Sequence, residues 1–274
     1  MRFLYVTDLH GDIAKYEQIL DIALKENINL IVNGGDMLSK HGNRWEDQPT
    51  FINEYLKEYF DKLTKHNIMY LTMLGNDDLL SMDKRFDQLC DKYDNIYNIA
   101  QQKIHINGYD FIGMNYITDH PFGYKDRVVM EDDYNFQEQF HDPVFLSNDE
   151  DVDYIYNWKE YLKTNLPNMR DVLNDLPIPS DYSKTIYITH IPPANLELGM
   201  LKSQDLDIGS VEVYNFIKKH QPLLTLHGHI HEAPETKAGT WINTIDSSTC
   251  INPGQTEYQD NTLLYAYIDL ENKH

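Results

Sequence analysis

Residues 2–12 read RFLYVTDLHGD and residues 29–37 read NLIVNGGDM, two short apolar runs that each end in turn residues and an aspartate. Between them, Ile13 to Lys25 brings Ile19, Leu20, Ala23 and Leu24 onto one helical face, with Asp12 suited to cap that helix and Asn27 to end it. Strand, helix and strand in so short a span predict a layered α/β domain rather than a helical bundle. The pattern recurs outward. A helix is expected over Phe51 to His66, a third strand over Ile68 to Leu74, and shorter strands over Lys103 to Ile106 and Phe111 to Tyr116.

From Thr118 to about Ser180 the chain turns acidic and aromatic, with Asp132-Asp133, Asp149-Glu150-Asp151-Asp153 and an expected helix from Val152 to Leu173. Such an insertion is either a solvated excursion or a cap that overhangs the site and shapes substrate access. The core resumes with a strand over Thr185 to Thr189, a helix over Val211 to His220 and a strand over Leu223 to Leu226. Final strands are expected near Thr240 to Ile245 and Leu263 to Asp269.

With 274 residues, 41% of them hydrophobic and only eleven prolines, one domain over 1–274 with a substantial core is expected, carrying the insertion at 118–180. Formal charge is 23 minus 44, or -21. That balance opposes nucleic acid, anionic lipid and other polyanions at long range, so a nuclease is disfavoured. Cys90 and Cys250 are too few for a disulfide framework and form no CxxC pair. No stretch approaches a membrane span, and Met1 leads directly into Phe3-Leu4-Tyr5-Val6 without a charged and apolar leader. A cytoplasmic location is the expectation.

Five polar clusters follow apolar runs: Asp8-Leu9-His10, Gly34-Gly35-Asp36, Gly75-Asn76-Asp77-Asp78, Thr189-His190 and Gly228-His229-Ile230-His231. In an α/β sheet the carboxyl ends of neighbouring strands open onto one crevice, so these clusters can share a site. Alternation along an extended segment is expected to point Asp8 and His10 the same way, and likewise His229 and His231. Each cluster alone reads as a cap, a turn dipeptide or a packed histidine. Together they make a mixed nitrogen and oxygen donor set suited to borderline divalent metals, with a carboxylate such as Asp36 able to bridge two of them.

The ordered motifs DxH, GD, GN, a lone His after a strand and GHxH, spanning Asp8 to His231, resemble those of the calcineurin-like metallophosphoesterases. The resemblance implies a four-layer αββα sandwich, two mixed sheets between helices, with two metals at the carboxyl edge. One metal would take Asp8, His10, Asp36 and His231, and the other Asp36, Asn76, His190 and His229. Manganese, iron, zinc and nickel all suit such ligands. The implied reaction is in-line attack on phosphorus by a hydroxide made from a metal-activated water.

The chain departs from the usual GNHD or GNHE motif, whose histidine supports the phosphate and the leaving group, because Asp77 stands there. Leu74 replaces the arginine that precedes this motif in Ser/Thr protein phosphatases, and no Asp-Arg pair follows Asp36, which counts against that class. An ionised Asp77 donates no proton and repels a dianion more than a monoanion, so diesters with good leaving groups are expected. His227 is a second candidate for a catalytic or supporting role, with packing as the alternative. Lys40, His41 and Arg44 either contact substrate phosphate or form a solvated loop.

The expected substrate is a small phosphodiester, nucleotide-like ones included. The alternatives are a phosphomonoesterase or nucleotidase, a protein phosphatase, and a non-catalytic scaffold like the retromer subunit that shares this fold.

Overall fold

The computed structural model describes residues 1–132, 138–148, 151–202, 206–255 and 262–271. Asp133, Asp149 and Glu150 lie outside the described residues. One mixed sheet has the order β11-β1-β2-β3-β4, from β1 (Arg2–Val6), β2 (Leu30–Asn33), β3 (Met69–Thr72), β4 (Ile96–Asn98) and β11 (Ala266–Asp269). Only β11 runs antiparallel in it. The second has the order β9-β10-β8-β7-β6-β5, from β5 (Lys103–Ile106), β6 (Tyr109–Met114), β7 (Thr185–Thr189), β8 (Leu224–Leu226), β9 (Ile242–Ile245) and β10 (Ser248–Ile251). Its two edge strands, β9 and β5, are antiparallel to their neighbours and the inner four are parallel.

Strand alternation builds the layers. Phe3 and Tyr5 of β1 pack between the sheets with Val32, Leu71, Phe111 and Ile188, and the Phe3 and Phe111 rings meet edge to face at 5.6 Å. Leu4 and Val6 point the other way, onto α1 (Ile13–Glu26) and α3 (Lys57–Lys65) through Tyr16, Ile19 and Phe60. On the far face of the second sheet, Ile112, Met114 and Tyr187 meet α5 (Trp158–Asn165), α6 (Met169–Asn174) and α7 (Val211–His220) through Trp158, Met169 and Val213. The result is helix, sheet, sheet, helix. Each large apolar side chain so buried is worth roughly 1.5–3 kcal/mol over exposure, which makes both sheet faces contribute.

Local chemistry sets the element ends. Asp12 caps α1 by accepting from Ala14 and Lys15 amides, and Asn27 closes it in the left-handed conformation at φ 52°. The expected Phe51 to His66 helix begins earlier, with α2 (Arg44–Phe51) capped by Asn43, and passes through a widened turn at Ile52–Leu56 before α3. Pro49, inside α2, cannot supply an amide to the regular ladder just ahead of that widening. The sequence pattern does not anticipate α4 (Asp83–Cys90) or strands β4 and β10.

The expected Val152 to Leu173 helix is corrected. Val152–Ile155 is a strand paired with Val144–Ser147, and two helices follow, each capped by an asparagine, Asn157 and Asn168. Pro167 bars Leu166 from continuing α5, so the helix stops there. The acidic stretch 118–180 therefore has two parts. Its later helices are the outer layer over the second sheet, while His120, Phe122, Tyr124 and Phe140, with Ile117 just before the stretch, border the cleft described next. Among the described residues no helix is long and apolar enough to cross a membrane.

Candidate metal centre

Asp8 and His10 follow β1, Asp36 follows β2, Asn76 follows β3, His190 follows β7, and His229 and His231 follow β8. All five strands run parallel within their sheets, so these loops leave from the same edge. Backbone bonds fasten loop to loop: the Asp8 amide donates to the Gly35 carbonyl, and the His10 amide to the Asp36 carbonyl, each at 2.9 Å. The two sheets are joined where the His229 amide donates to the Asp8 carboxylate at 3.1 Å.

The paired residues do not converge by strand alternation as expected. Asp8, His10, Asp36 and His229 have φ of 57°, 46°, 51° and 66°, the left-handed region that side chains with a Cβ rarely adopt. Such strain persists only where the surroundings impose it, and it clusters at working sites. Two glycines allow the crowding. A Cβ at Gly75 would lie 2.3 Å from Asp36 Oδ1, and one at Gly228 would lie 2.6 Å from Asp8 Oδ2.

The structure gathers all seven residues singled out as ligands. Asp8, His10, Asp36 and His231 form one group, and Asp36, His190 and His229 a second, with ligand atoms in each within 4.8 Å of one another. Asn76 Oδ1 adds to the second, 2.9 Å from His190 Nε2 and 2.6 Å from His229 Nδ1. His10 Nε2 faces His231 Nε2 at 3.0 Å, His190 Nε2 lies 3.4 Å from Asp36 Oδ2, and His231 Nε2 lies 3.4 Å from Asp8 Oδ1. Donor atoms thus aim at one another. His190 Nδ1 lies 2.9 Å from the Gly34 carbonyl, and donating there leaves Nε2 as a lone-pair donor. This donor chemistry, and a cradle that an added Cβ would fill, fit two borderline divalent ions sharing Asp36.

The electrostatics favour the ligating states. Burial works to raise the Asp8 and Asp36 carboxyls, but His231 beside Asp8 and His190 beside Asp36 outweigh it and hold both below the ordinary range. Burial and then His231 push His10 down to about 3, and burial, His120 and His190 depress His229. His190 goes the other way, to about 9, because Asp36 overcomes its burial. Ionised Asp8 and Asp36 and neutral His10 and His229 are in the state that metal ligands need, whereas His190 must give up a proton to ligate.

His227 is placed behind this centre. It is wholly buried, with Thr189 Oγ1 2.8 Å from Nδ1 and Thr225 Oγ1 2.8 Å from Nε2, and burial depresses it to about 4. It does not border the cleft. Asp78 is also wholly buried, its carboxylate accepting from the Met37, Leu38 and Gly75 amides. Asp77 does border the cleft, and burial and then Asp36 raise its carboxyl. Arg44, expected in a loop, opens α2 and borders the cleft too. The sequence signal for that is Asn43, a cap residue. The cleft, of about 590 Å³, is lined by Asp36, Asn76, His229 and His231 together with the apolar Ile117, Phe122, Val128 and Phe140.

A family model described as calcineurin-like phosphoesterase matches residues 1–233. No curated protein sequence matches this chain. Among solved structures, one crystal structure shares 18% identity, covers 98% of this chain and 95% of its own, and superposes with a TM-score of 0.61. The protein TT1561 of Thermus thermophilus shares 16% identity over 93% of this chain and 89% of its own, with a TM-score of 0.52. Likeness at these identities speaks for the fold alone.

Proposed function

The chain belongs to the calcineurin-like phosphoesterase family, and from that premise we propose that it hydrolyses small phosphodiesters at the centre formed by Asp8, His10, Asp36, Asn76, His190, His229 and His231. Family membership makes it a metal-dependent phosphoric ester hydrolase. Asp8, His10, Asp36 and His231 would hold one divalent ion and Asp36, Asn76, His190 and His229 the other. When bound, the ions supply an activated water and neutralise charge on the phosphoryl oxygens. The chain does the rest. The Asp77 amide fixes Asp36 Oδ1 at 2.8 Å, the Gly34 carbonyl orients His190, and buried Leu9 and Met37 pack beside the ligands they adjoin in sequence and help exclude bulk water.

One observation carries the diester reading. Asp36, Asn76, His229 and His231 line a cleft of about 590 Å³ whose lining is partly apolar, which has room for a phosphorus bearing two substituents. Charge repulsion by Asp77 supports it less than the sequence alone suggests, because Arg44 lies 3.1 Å from that carboxylate and offsets much of the repulsion. Neither Asp77, paired in this way, nor the enclosed His227 is offered as a proton donor to the leaving group. Esters with aryl leaving groups are therefore expected to outpace alkyl esters, since general-acid help is typically worth about 10²- to 10⁴-fold.

The test is hydrolysis of a bis-aryl and a mono-aryl phosphate by chelated protein reloaded with manganese, zinc, iron or nickel. Faster turnover of the bis-aryl ester supports the reading. Faster turnover of the mono-aryl ester moves the assignment to a phosphomonoesterase. A scaffold would turn over neither and would have no reason to retain two ions, and the complete ligand set argues against it.

A further inference from the structure

We propose that Arg44 is the cation that contacts the substrate's phosphoryl oxygens, and that Asp77, standing where the usual motif has histidine, is its positioning residue; this rests on the phosphoesterase reading above. Asp77 Oδ1 accepts from Arg44 Nη2 at 3.1 Å and the Asp77 carbonyl accepts from Nη1 at 3.0 Å, while Nε donates to the Lys40 carbonyl at 3.3 Å. The acceptors sit on the loops after β2 and β3, which also carry Asp36 and Asn76. From the cap side, the Tyr124 ring lies 4.7 Å from the guanidinium and packs on Trp45 at 6.0 Å. Buried Gln48 donates to the same Asp77 carbonyl at 2.9 Å and to the Ser39 carbonyl at 3.0 Å, so the acceptor that holds Arg44 is itself held.

The guanidinium is fixed yet not used up. Its side chain is 14% exposed and borders the cleft together with Asp36 and Asn76. A guanidinium has about five N–H donors. Three are engaged, and the rest have no protein acceptor among the described residues. Asp77 Oδ2 lies 4.0 Å from His10 Nδ1, so Arg44 stands one carboxylate away from the ligand set. A planar fork with spare donors matches phosphoryl oxygens, and a charge already fixed needs no reorganisation when substrate arrives. The exchange of histidine for aspartate is then intelligible. Histidine would offer its own donor to the phosphate, whereas aspartate offers none and instead holds Arg44 in reach.

The experiment is calorimetric titration of orthophosphate into manganese-loaded wild type, Arg44→Ala, Arg44→Lys, Asp77→Ala and the double variant, with metal content measured on every sample. Arg44→Ala is expected to weaken orthophosphate binding about tenfold or more, and Arg44→Lys by less, because an ammonium cannot reproduce the fork. In the Asp77→Ala background the same Arg44→Ala change should cost under about threefold, since an unpositioned arginine has little left to lose. Added guanidinium should partly restore bis-aryl phosphate hydrolysis to Arg44→Ala, which a mere disturbance of α2 would not allow. The proposal is overturned if Arg44→Ala binds orthophosphate within about twofold of wild type at unchanged metal content, or if its cost is the same in both backgrounds. Wild-type protein that binds orthophosphate through Arg44 yet hydrolyses no ester would sink the phosphoesterase reading and leave this one standing.

Discussion

At the strand ends, the ligand loops clip to one another through backbone hydrogen bonds, as at Asp8 to Gly35 and His10 to Asp36, whereas the described residues among 117–147 are held by polar side chains and by Ile117, Val128, Val129 and Val144 packed into the core on the far face of the second sheet. Asp126 accepts from the Leu80 amide at 2.7 Å and the Ser147 amide at 2.6 Å. Lys125 is buried against Asp119 at 2.6 Å, and Arg127 reaches the Asp78 carbonyl at 3.2 Å and the Asp83 carboxylate. Asp8, Asp36, His190 and His229 of the cradle are buried and His10, Asn76 and His231 half-buried, while Phe122 and Phe140 are 49% and 68% exposed. Chemistry that tolerates no displacement is thus built into loops tied to strand ends. The surface a substrate meets is completed by a later segment that reaches those loops through side chains such as Arg127 and Tyr124.

That contrast is most sharply tested at Gly75. In Gly75→Ala the new Cβ meets Asp36 Oδ1 and the Asp36 amide, each at 2.3 Å, so the Asp36 carboxylate must shift. Metal affinity is expected to fall by at least the roughly 10- to 100-fold typical of losing a ligand's support, while the circular dichroism spectrum stays native. Unchanged metal affinity would mean that the cradle is looser than its backbone bonds indicate.

His227 tests the wall behind the cradle through pH. Its folded pKa is about 4 against an ordinary 6.5, so below pH 6.5 the unfolded chain takes up a proton that the native chain refuses. Stability should therefore fall with falling pH across that window, by about 3 kcal/mol in all for this one group. Urea unfolding of metal-free His227→Gln should show a flatter pH slope between 6.5 and 4 than wild type. An equal slope would show that His227 does not stay neutral in the fold. His120, likewise depressed to about 4 by burial, and His10 and His229 of the metal-free centre remain as further sources of acid sensitivity.

The smallest effect is expected in the cap. Asp126→Ala leaves the Leu80 and Ser147 amides without their acceptor, a loss of about 1–3 kcal/mol. KM for a bis-aryl phosphate should rise with metal content unchanged, and limited proteolysis should cut earlier in 117–147. A loss of metal instead would join the two regions that the comparison separates.

The cradle is legible in the sequence because strand ends are marked by apolar runs, and ligand types at five such ends leave few other readings. Its backbone is not. Left-handed Asp8 and His10 leave no trace in composition, so alternation points to the right convergence for the wrong reason. The cap resists for a different cause. Acidic and aromatic composition cannot separate the strand Val152–Ile155 from helix, although Asn157, Pro167 and Asn168 mark where the helices there begin and end. Arg44 reads in sequence as a loop residue, and only the fold brings it to Asp77, distant in sequence, with Tyr124 of the cap against its other side.

The central claim is that a shared carboxylate at Asp36 makes one working centre of two metal positions. It is tested most directly by titrating chelated wild type and Asp36→Ala with manganese while following bis-aryl phosphate hydrolysis and bound metal together. The account predicts that wild-type turnover rises only as a second ion per chain binds, and that Asp36→Ala retains neither tight site and stays at the metal-free rate. Turnover by the metal-free wild type, or two tightly bound ions and near-normal turnover in Asp36→Ala, would contradict it.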